Sequence, residues 1–244
     1  MSCSRFGIRK CAHYSSEVDQ RSYNQFCATA RTLDIIGERW TLLLVRELLT
    51  GPKRFGDLQK SLRGLGTGLL SARLKHLERE GLARRVTLPP PARTPAYELT
   101  EAGRELEPAV MALARWGTKW AMGERHEEES FHPGWAVLGM RSCFVPEAAA
   151  GLRAVYEFRV DDELFHVDVD DGRIDTVHGP AQRPDVVVEA GQDVLVGIAA
   201  RRTTLAEALA DGTARATGDA RLLHALGELF VWPPAGDRTP DNSG

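Results

Sequence analysis

The residues best suited to chemistry in the first half of the chain are basic and fall at helical spacing. Leu70, Leu74 and Leu77 recur at three- and four-residue steps, and the segment between them carries Ser71, Arg73, Lys75 and Arg79. At about 100° per residue, Gly68, Ala72, Lys75 and Arg79 lie opposite the leucines, Ser71 and His76 lie on either flank, and Arg73 borders the leucine stripe. A face that is small near the helix start and basic further along suits close approach to a polyanion, because small residues let the backbone come near and first-turn N–H groups attract phosphate. Lys53, Arg54 and Arg63, in neighbouring segments, add cations that position without reading sequence. In an arbitrary soluble protein such a face is solvated surface, so its meaning rests on the elements around it.

A second reactive group is Cys27, at the start of the first helical pattern, where a helix N-terminus depresses a thiol pKa and favours thiolate. The bland alternative is an inert thiol. Cys3, Cys11, His13 and Cys27 are potential metal ligands, but they lack the close Cys-x-x-Cys pairs of a structural zinc site, so no metal and no cofactor are expected. The chain has no phosphate-cradling glycine loop, His-Glu-x-x-His motif or Gly-x-Ser-x-Gly elbow, and its acidic pairs fall in turns, so an enzyme is not the expectation. His166, His178 and His224 sit in unrelated contexts.

These residues must be held by the following elements. Residues 1–22 are polar and aperiodic and read as a flexible extension. From Phe26, apolar residues at Leu33, Ile36, Trp40, Leu44 and Leu48 describe one helix, stopped by Gly51-Pro52. A short helix over 57–62, a Gly64-Leu65-Gly66 turn and a helix over 67–80 with Thr67 as its N-cap come next. Two strands over 83–88 and 96–99 flank a proline-rich hairpin with Arg93 near its tip, and Thr100 caps a long helix through 122. Leu106, Val110, Leu113 and Trp120 mark one apolar face of that helix, and so wide a stripe needs a partner. Helix, helix, turn, helix, hairpin, helix is the order of a winged helix-turn-helix, whose second paired helix enters a major groove. Residues 123–133 read as a charged linker. Over 134–232, strands at 155–160, 164–169, 174–177 and 186–188 precede helices near 194–199, 205–210 and 220–230, an α+β pattern. The tail, 233–244, is rich in Pro, Gly and Asp and reads as disordered.

The charge follows the same division. With 244 residues and 43% hydrophobic content, the chain is long enough for two domains. Its net charge of −3 conceals a front half, residues 1–122, with 20 basic and 12 acidic residues (+8), and a back half with 11 and 22 (−11). A basic front favours a polyanion, and an acidic back should point away from it. No leader pattern and no membrane-length apolar run appear, and the cysteines form no disulfide framework, so a cytoplasmic protein is expected without membrane contact.

The front half, through "DIIGERWTLLLVRELL", "RFGDL", "LSARLKHLEREGL" and "AYELTEAGREL", resembles the HxlR family of winged-helix regulators over about ninety residues. The resemblance implies a homodimer joined by the helices near Phe26, Leu33, Leu106, Val110, Leu113 and Trp120, binding double-stranded DNA at a pseudo-palindromic operator. Thr67, Gly68, Ser71, Ala72, Arg73 and Lys75, with Arg79, would face the groove, Arg93 would be the wing residue at a minor groove, and Arg54 would touch phosphate. It also implies a second use for Cys27, since some members sense oxidants or electrophiles through a cysteine near this place. Two departures stand out: Gly68 replaces a longer side chain, and "PPPARTP" is a proline-rich wing.

The back half resembles the sterol carrier protein fold, most clearly in "TTLAEALADGTARATGD" and the amphipathic helix after it. That fold implies an apolar tunnel for a small hydrophobic effector, for which Phe158, Phe165, Leu195, Ile198, Leu205, Leu226 and Phe230 are the candidate lining. The expectation is thus a mainly α winged helix-turn-helix domain fused to an α+β sterol-carrier-protein-like domain, an operator-binding homodimer tuned by a small apolar ligand. The alternative makes the back half a structural or carrier module and Cys27 the sensor.

Overall fold

The computed structural model describes residues 22–122, 126, 128–129, 132 and 134–232. The expected N-terminal extension, apart from Ser22, the C-terminal tail and most of the expected linker lie outside them. The chain divides between Arg39 and Trp40 into two compact units.

The first unit contains α1 (Ala28–Ile36). Its approach is fixed by Asp34, whose carboxylate accepts from Ser22 Oγ at 3.0 Å and from the Tyr23 N–H at 2.9 Å. Gly37 closes the helix by donating its N–H to the Leu33 carbonyl. The single helix expected from Phe26 to Leu48 is therefore broken. Helical backbone resumes only after Trp40, which sits in the left-handed region at φ 78°, a conformation no α-helix continues through.

The second unit begins with α2 (Thr41–Leu49), α3 (Phe55–Ser61) and α4 (Thr67–Arg79). A two-stranded antiparallel hairpin follows, β1 (Ala83–Thr87) with β2 (Pro95–Leu99), in which Ala83 faces Leu99 and Thr87 faces Pro95. Thr100 caps α5 (Glu101–Arg104) as expected: its hydroxyl accepts from Gly103 N–H at 3.2 Å and donates to the Gly81 carbonyl at 2.6 Å. Two boundaries differ from the sequence expectation. Gly66, not Thr67, is the N-cap of α4, because the first helical bond already runs from Leu70 N–H to Gly66 O at 2.9 Å. The long helix over 101–122 is two helices, α5 and α6 (Glu107–Trp120). Pro108 has no N–H to give the Arg104 carbonyl, so the ladder lapses there and restarts with proline in the first turn.

After the linker come α7 (Gly134–Cys143), which the sequence pattern did not reveal, and a 3-10 turn at Pro146–Ala149. Then come β3 (Arg153–Val160), β4 (Glu163–Asp170), β5 (Arg173–His178) and β6 (Val186–Ala190). The chain ends in α8 (Gln192–Ala199), α9 (Leu205–Ala210), β7 (Ala214–Gly218) and α10 (Ala220–Leu229). The five strands lie in the order β5-β4-β3-β6-β7. The first three form a meander, β6 runs parallel to β3, and β7 returns antiparallel on β6. Alternation places Ala154, Tyr156, Phe158 and Val160 on one buried face of β3, with Phe165, Val167 and Val169 beside them on β4.

Two hydrophobic cores result. Leu44, Leu48, Leu58, Leu70, Leu74, Leu77 and Leu99 anchor the first, and Tyr156, Phe158, Phe165, Val167, Leu226 and Leu229 the second. Helix α7 serves both, since Leu138 belongs to the first core and its neighbour Val137 to the second.

Candidate nucleic-acid interface

Helix α4 is held by Leu70, Leu74 and Leu77, each with no solvent exposure. Burial of three leucines, at about 1.5–3 kcal/mol each, fixes its rotation and leaves the opposite face outward. Gly68, Ala72, Lys75 and Arg79 are exposed there, and Ser71 and His76 are half-buried on the flanks, as the periodicity implied. A Cβ at Gly68 would meet nothing within 4 Å. The fold does not demand glycine at this place, and its effect is to leave the helix start bare. Leu69, 41% exposed beside it, is an apolar contact that the charge-based reading overlooked.

The cations sort by their partners. Arg84 pairs with Glu98 at 2.6 Å and Arg85 with Glu78 at 3.1 Å, so the arginines of the hairpin strands are spent within the fold. Arg79 bonds Glu80 at 3.2 Å and His76 Nδ1 at 2.7 Å. Arg73 is half-buried with its Nε shielded from solvent, in keeping with a structural role at the border of the leucine stripe. By contrast Arg54, Lys60, Arg63, Lys75 and Arg93 are exposed, and no carboxylate partner is found for them among the described residues. Lys60 was not singled out by sequence. Arg93 occupies the hairpin tip in a left-handed conformation, φ 37°, which turns the chain back toward β2.

The residues assigned to self-association divide. Val110 is 8% exposed and belongs to the first core, and Leu106 packs half-buried against it. Around α6 the inward stripe runs through Val110, Met111 and Thr118, while Leu113 and Trp116 project at 53% and 51% exposure and Trp120 is half-buried. In the first unit Phe26 is 96% exposed, with Arg31 over its ring at 4.9 Å, and Leu33 is 40% exposed.

Cys27 is exposed at the N-cap of α1, and the N–H groups of Ala30 and then Thr29 hold its thiol pKa below the ordinary range. Cys143 is buried, which raises its pKa. Among the described residues no three His, Cys, Asp or Glu side chains converge to hold a metal ion; Cys3, Cys11 and His13 lie outside them.

In the back half Phe158 and Phe165 stack at 5.1 Å, Leu226 is buried beside them, and Leu195, Leu205 and Phe230 pack half-buried against the same core. Ile198 is half-buried on α8. Two surface grooves, of about 440 and 950 Å³, are lined by other residues.

Comparison with known proteins fits this geometry. The HxlR-like helix-turn-helix family model matches residues 35–125. YvaP of Bacillus subtilis, an uncharacterised HTH-type transcriptional regulator, is 37% identical over 90 residues, which cover 37% of this chain and 83% of YvaP. The chain belongs to the HxlR-like helix-turn-helix family. A further relative, the uncharacterised HTH-type transcriptional regulator Rv3095 of Mycobacterium tuberculosis, is 42% identical over 93 residues, 38% of this chain. The shared segment is 58% of that relative's length. Among solved structures, the reduced form of the transcriptional regulator YodB from B. subtilis is 29% identical and aligns over 38% of this chain and 92% of its own, with a TM-score of 0.34. The SCP-2 sterol transfer family model matches residues 142–231, so the HxlR-like segment is followed by an SCP2-like α+β region with a five-stranded sheet. No helix of the described residues is long and apolar enough to cross a membrane.

Proposed function

We propose that the protein is a homodimeric, operator-binding transcription regulator that acts on chromosomal DNA in the cytoplasm. The observation that carries this reading is the outward face of α4, small at Gly68 and Ala72 and basic at Lys75, set between unspent cations at Arg54, Lys60, Arg63 and Arg93. Helix α4 lies in a major groove, the hairpin brings Arg93 to the adjacent minor groove, and the remaining cations bind phosphate. Two copies joined through Leu113 and Trp116 of α6, with Phe26 and Leu33 of α1, read a pseudo-palindrome. The SCP2-like region tunes operator affinity when a small apolar ligand enters between its sheet and helices; binding must favour one state of the DNA-reading dimer over the other. Fluorescence anisotropy with DNA flanking the gene tests the reading. With about six to ten phosphates neutralised per dimer, affinity falls about a thousandfold or more between about 50 and 200 mM salt. A shallow dependence overturns DNA binding, whereas a ligand that binds without altering operator affinity overturns only the tuning.

A second reading is favoured by the exposed Cys27 with its lowered pKa. In it, oxidation or alkylation of Cys27 controls operator binding and the SCP2-like region is structural. Diamide then releases DNA reversibly, and Cys27→Ser removes the response; an unchanged response in that variant overturns it.

A further inference from the structure

Helix α4 does not present the same chemistry along its length. Between Thr67 and Ala72, the residues Thr67, Gly68, Leu69 and Ala72 are exposed, Ser71 is half-buried and Leu70 is buried. None of these residues carries a charge or a side-chain amide. The Arg, Lys, Asn and Gln side chains that read guanine and adenine bidentately are therefore missing from this end of the helix. The cations begin only at Arg73 and Lys75, and Arg73 is half-buried with its Nε shielded from solvent.

Within this stretch Leu69 is the one long side chain turned outward. It is 41% exposed and belongs to neither hydrophobic core nor to the residues packed against them. Gly68 and Ala72, beside it on the helix surface, are too short to hold the backbone away from a groove, and a Cβ at Gly68 would meet nothing within 4 Å. An apolar side chain pressed against the polar edge of guanine, adenine or cytosine strips water from donors and acceptors that it cannot replace. Thymine is the base that offers the major groove an apolar group, its C5 methyl.

On the operator-binding reading, on which this inference rests, we propose that Leu69 determines specificity for a thymine in each half-site by packing against its C5 methyl group. DNA flanking the gene is amplified with either dTTP or dUTP; uracil lacks the methyl group and keeps every base-pairing hydrogen bond. Fluorescence anisotropy at about 150 mM salt, where non-specific binding is weak, compares the two fragments. The parent should bind the uracil fragment about tenfold or more weakly, because each buried methyl is worth about fourfold and there are two half-sites. That preference should collapse in Leu69→Ser. Since Leu69 lies outside the core, an unchanged circular dichroism melt confirms that the variant is folded, and the comparison on the parent needs no variant at all. Equal binding of the two fragments by the parent overturns the assignment and leaves operator binding intact. A methyl preference that survives Leu69→Ser also overturns it. If neither fragment binds, the operator reading itself fails and the assignment falls with it.

Discussion

Trp135 donates its indole N–H to the Glu47 carboxylate at 2.8 Å, joining the first turn of α7 to α2 across 88 residues of sequence. Glu47 is only 5% exposed, its other partner is Arg46 at 2.6 Å, and the Arg46 guanidinium lies over the Trp135 ring at 4.0 Å. A buried carboxylate is tolerated only when paired and hydrogen-bonded, so this contact is a structural requirement of the winged unit met by the segment behind it. Trp135→Phe keeps the ring and removes the donor. It should cost about 1–3 kcal/mol in urea unfolding, and less in a Glu47→Gln background, where no buried charge is left short of a donor. Equal costs in both backgrounds would show that the bond carries no coupling.

The sorting of cations gives a sharper test of DNA contact than total charge does. Arg93→Ala and Lys75→Ala each remove an unspent cation, twice per dimer, and should each lower the slope of log affinity against log salt by about 2. Arg84→Ala removes a guanidinium already committed to Glu98 and should change the slope far less. Comparable losses for all three variants in salt-titrated anisotropy would mean that the surface acts as a diffuse positive field.

What the sequence made legible was whatever repeats at short range. The α4 leucine stripe and the outward set opposite it follow from a 3.6-residue period, and Thr100 announces itself as a cap by chemistry and position. Long-range matters stayed hidden. Strand β7, Ala214–Gly218, alternates only the small Ala214 and Ala216 with polar residues, too faint a pattern to announce a strand, and it is set by pairing with the edge of β6. Helix α7 divides its apolar residues between two cores, which blurs any single face, with Val137 and Leu138 adjacent in sequence yet serving different clusters. Val110 looked equivalent to Leu113 because both lie on one broad stripe, and only packing shows that the first is inside and the second outside. The Glu47 contact leaves no local trace, because its donor lies 88 residues on.

His178 ends β5 near the start of α7, where a Cβ on Gly134 would lie 3.4 Å from its Nε2. Burial and then the Lys53 ammonium hold its pKa below the ordinary range, with Glu163, 3.9 Å from Nδ1, opposing them. The fold thus favours neutral imidazole. As pH falls below about 6.5, the unfolded chain takes up this proton before the folded one does, so the contribution of His178 is present above that pH and is lost as pH drops toward the folded value. Stability measured by urea unfolding should decline more between about pH 7 and pH 5.5 in the parent than in His178→Asn. Parallel curves would mean that the ring titrates alike in both states.

The exposed stripe on α6 makes the last expectation. Leu113 and Trp116 are more than half exposed, although each is large and apolar, and a tryptophan left in water forgoes the largest burial gain of any side chain. Covering the pair by a second copy removes that cost, and at an interface centre such aromatic anchors dominate affinity. Leu113→Glu with Trp116→Glu places two carboxylates on each face of the contact, so the dimer should dissociate by at least about a hundredfold, or some 3 kcal/mol. Because neither side chain belongs to the first core, the helical circular dichroism signal should persist while light scattering reports the mass of a single chain. A variant that stays dimeric at low micromolar concentration would move the self-association surface off α6 and leave the outward apolar stripe to another partner.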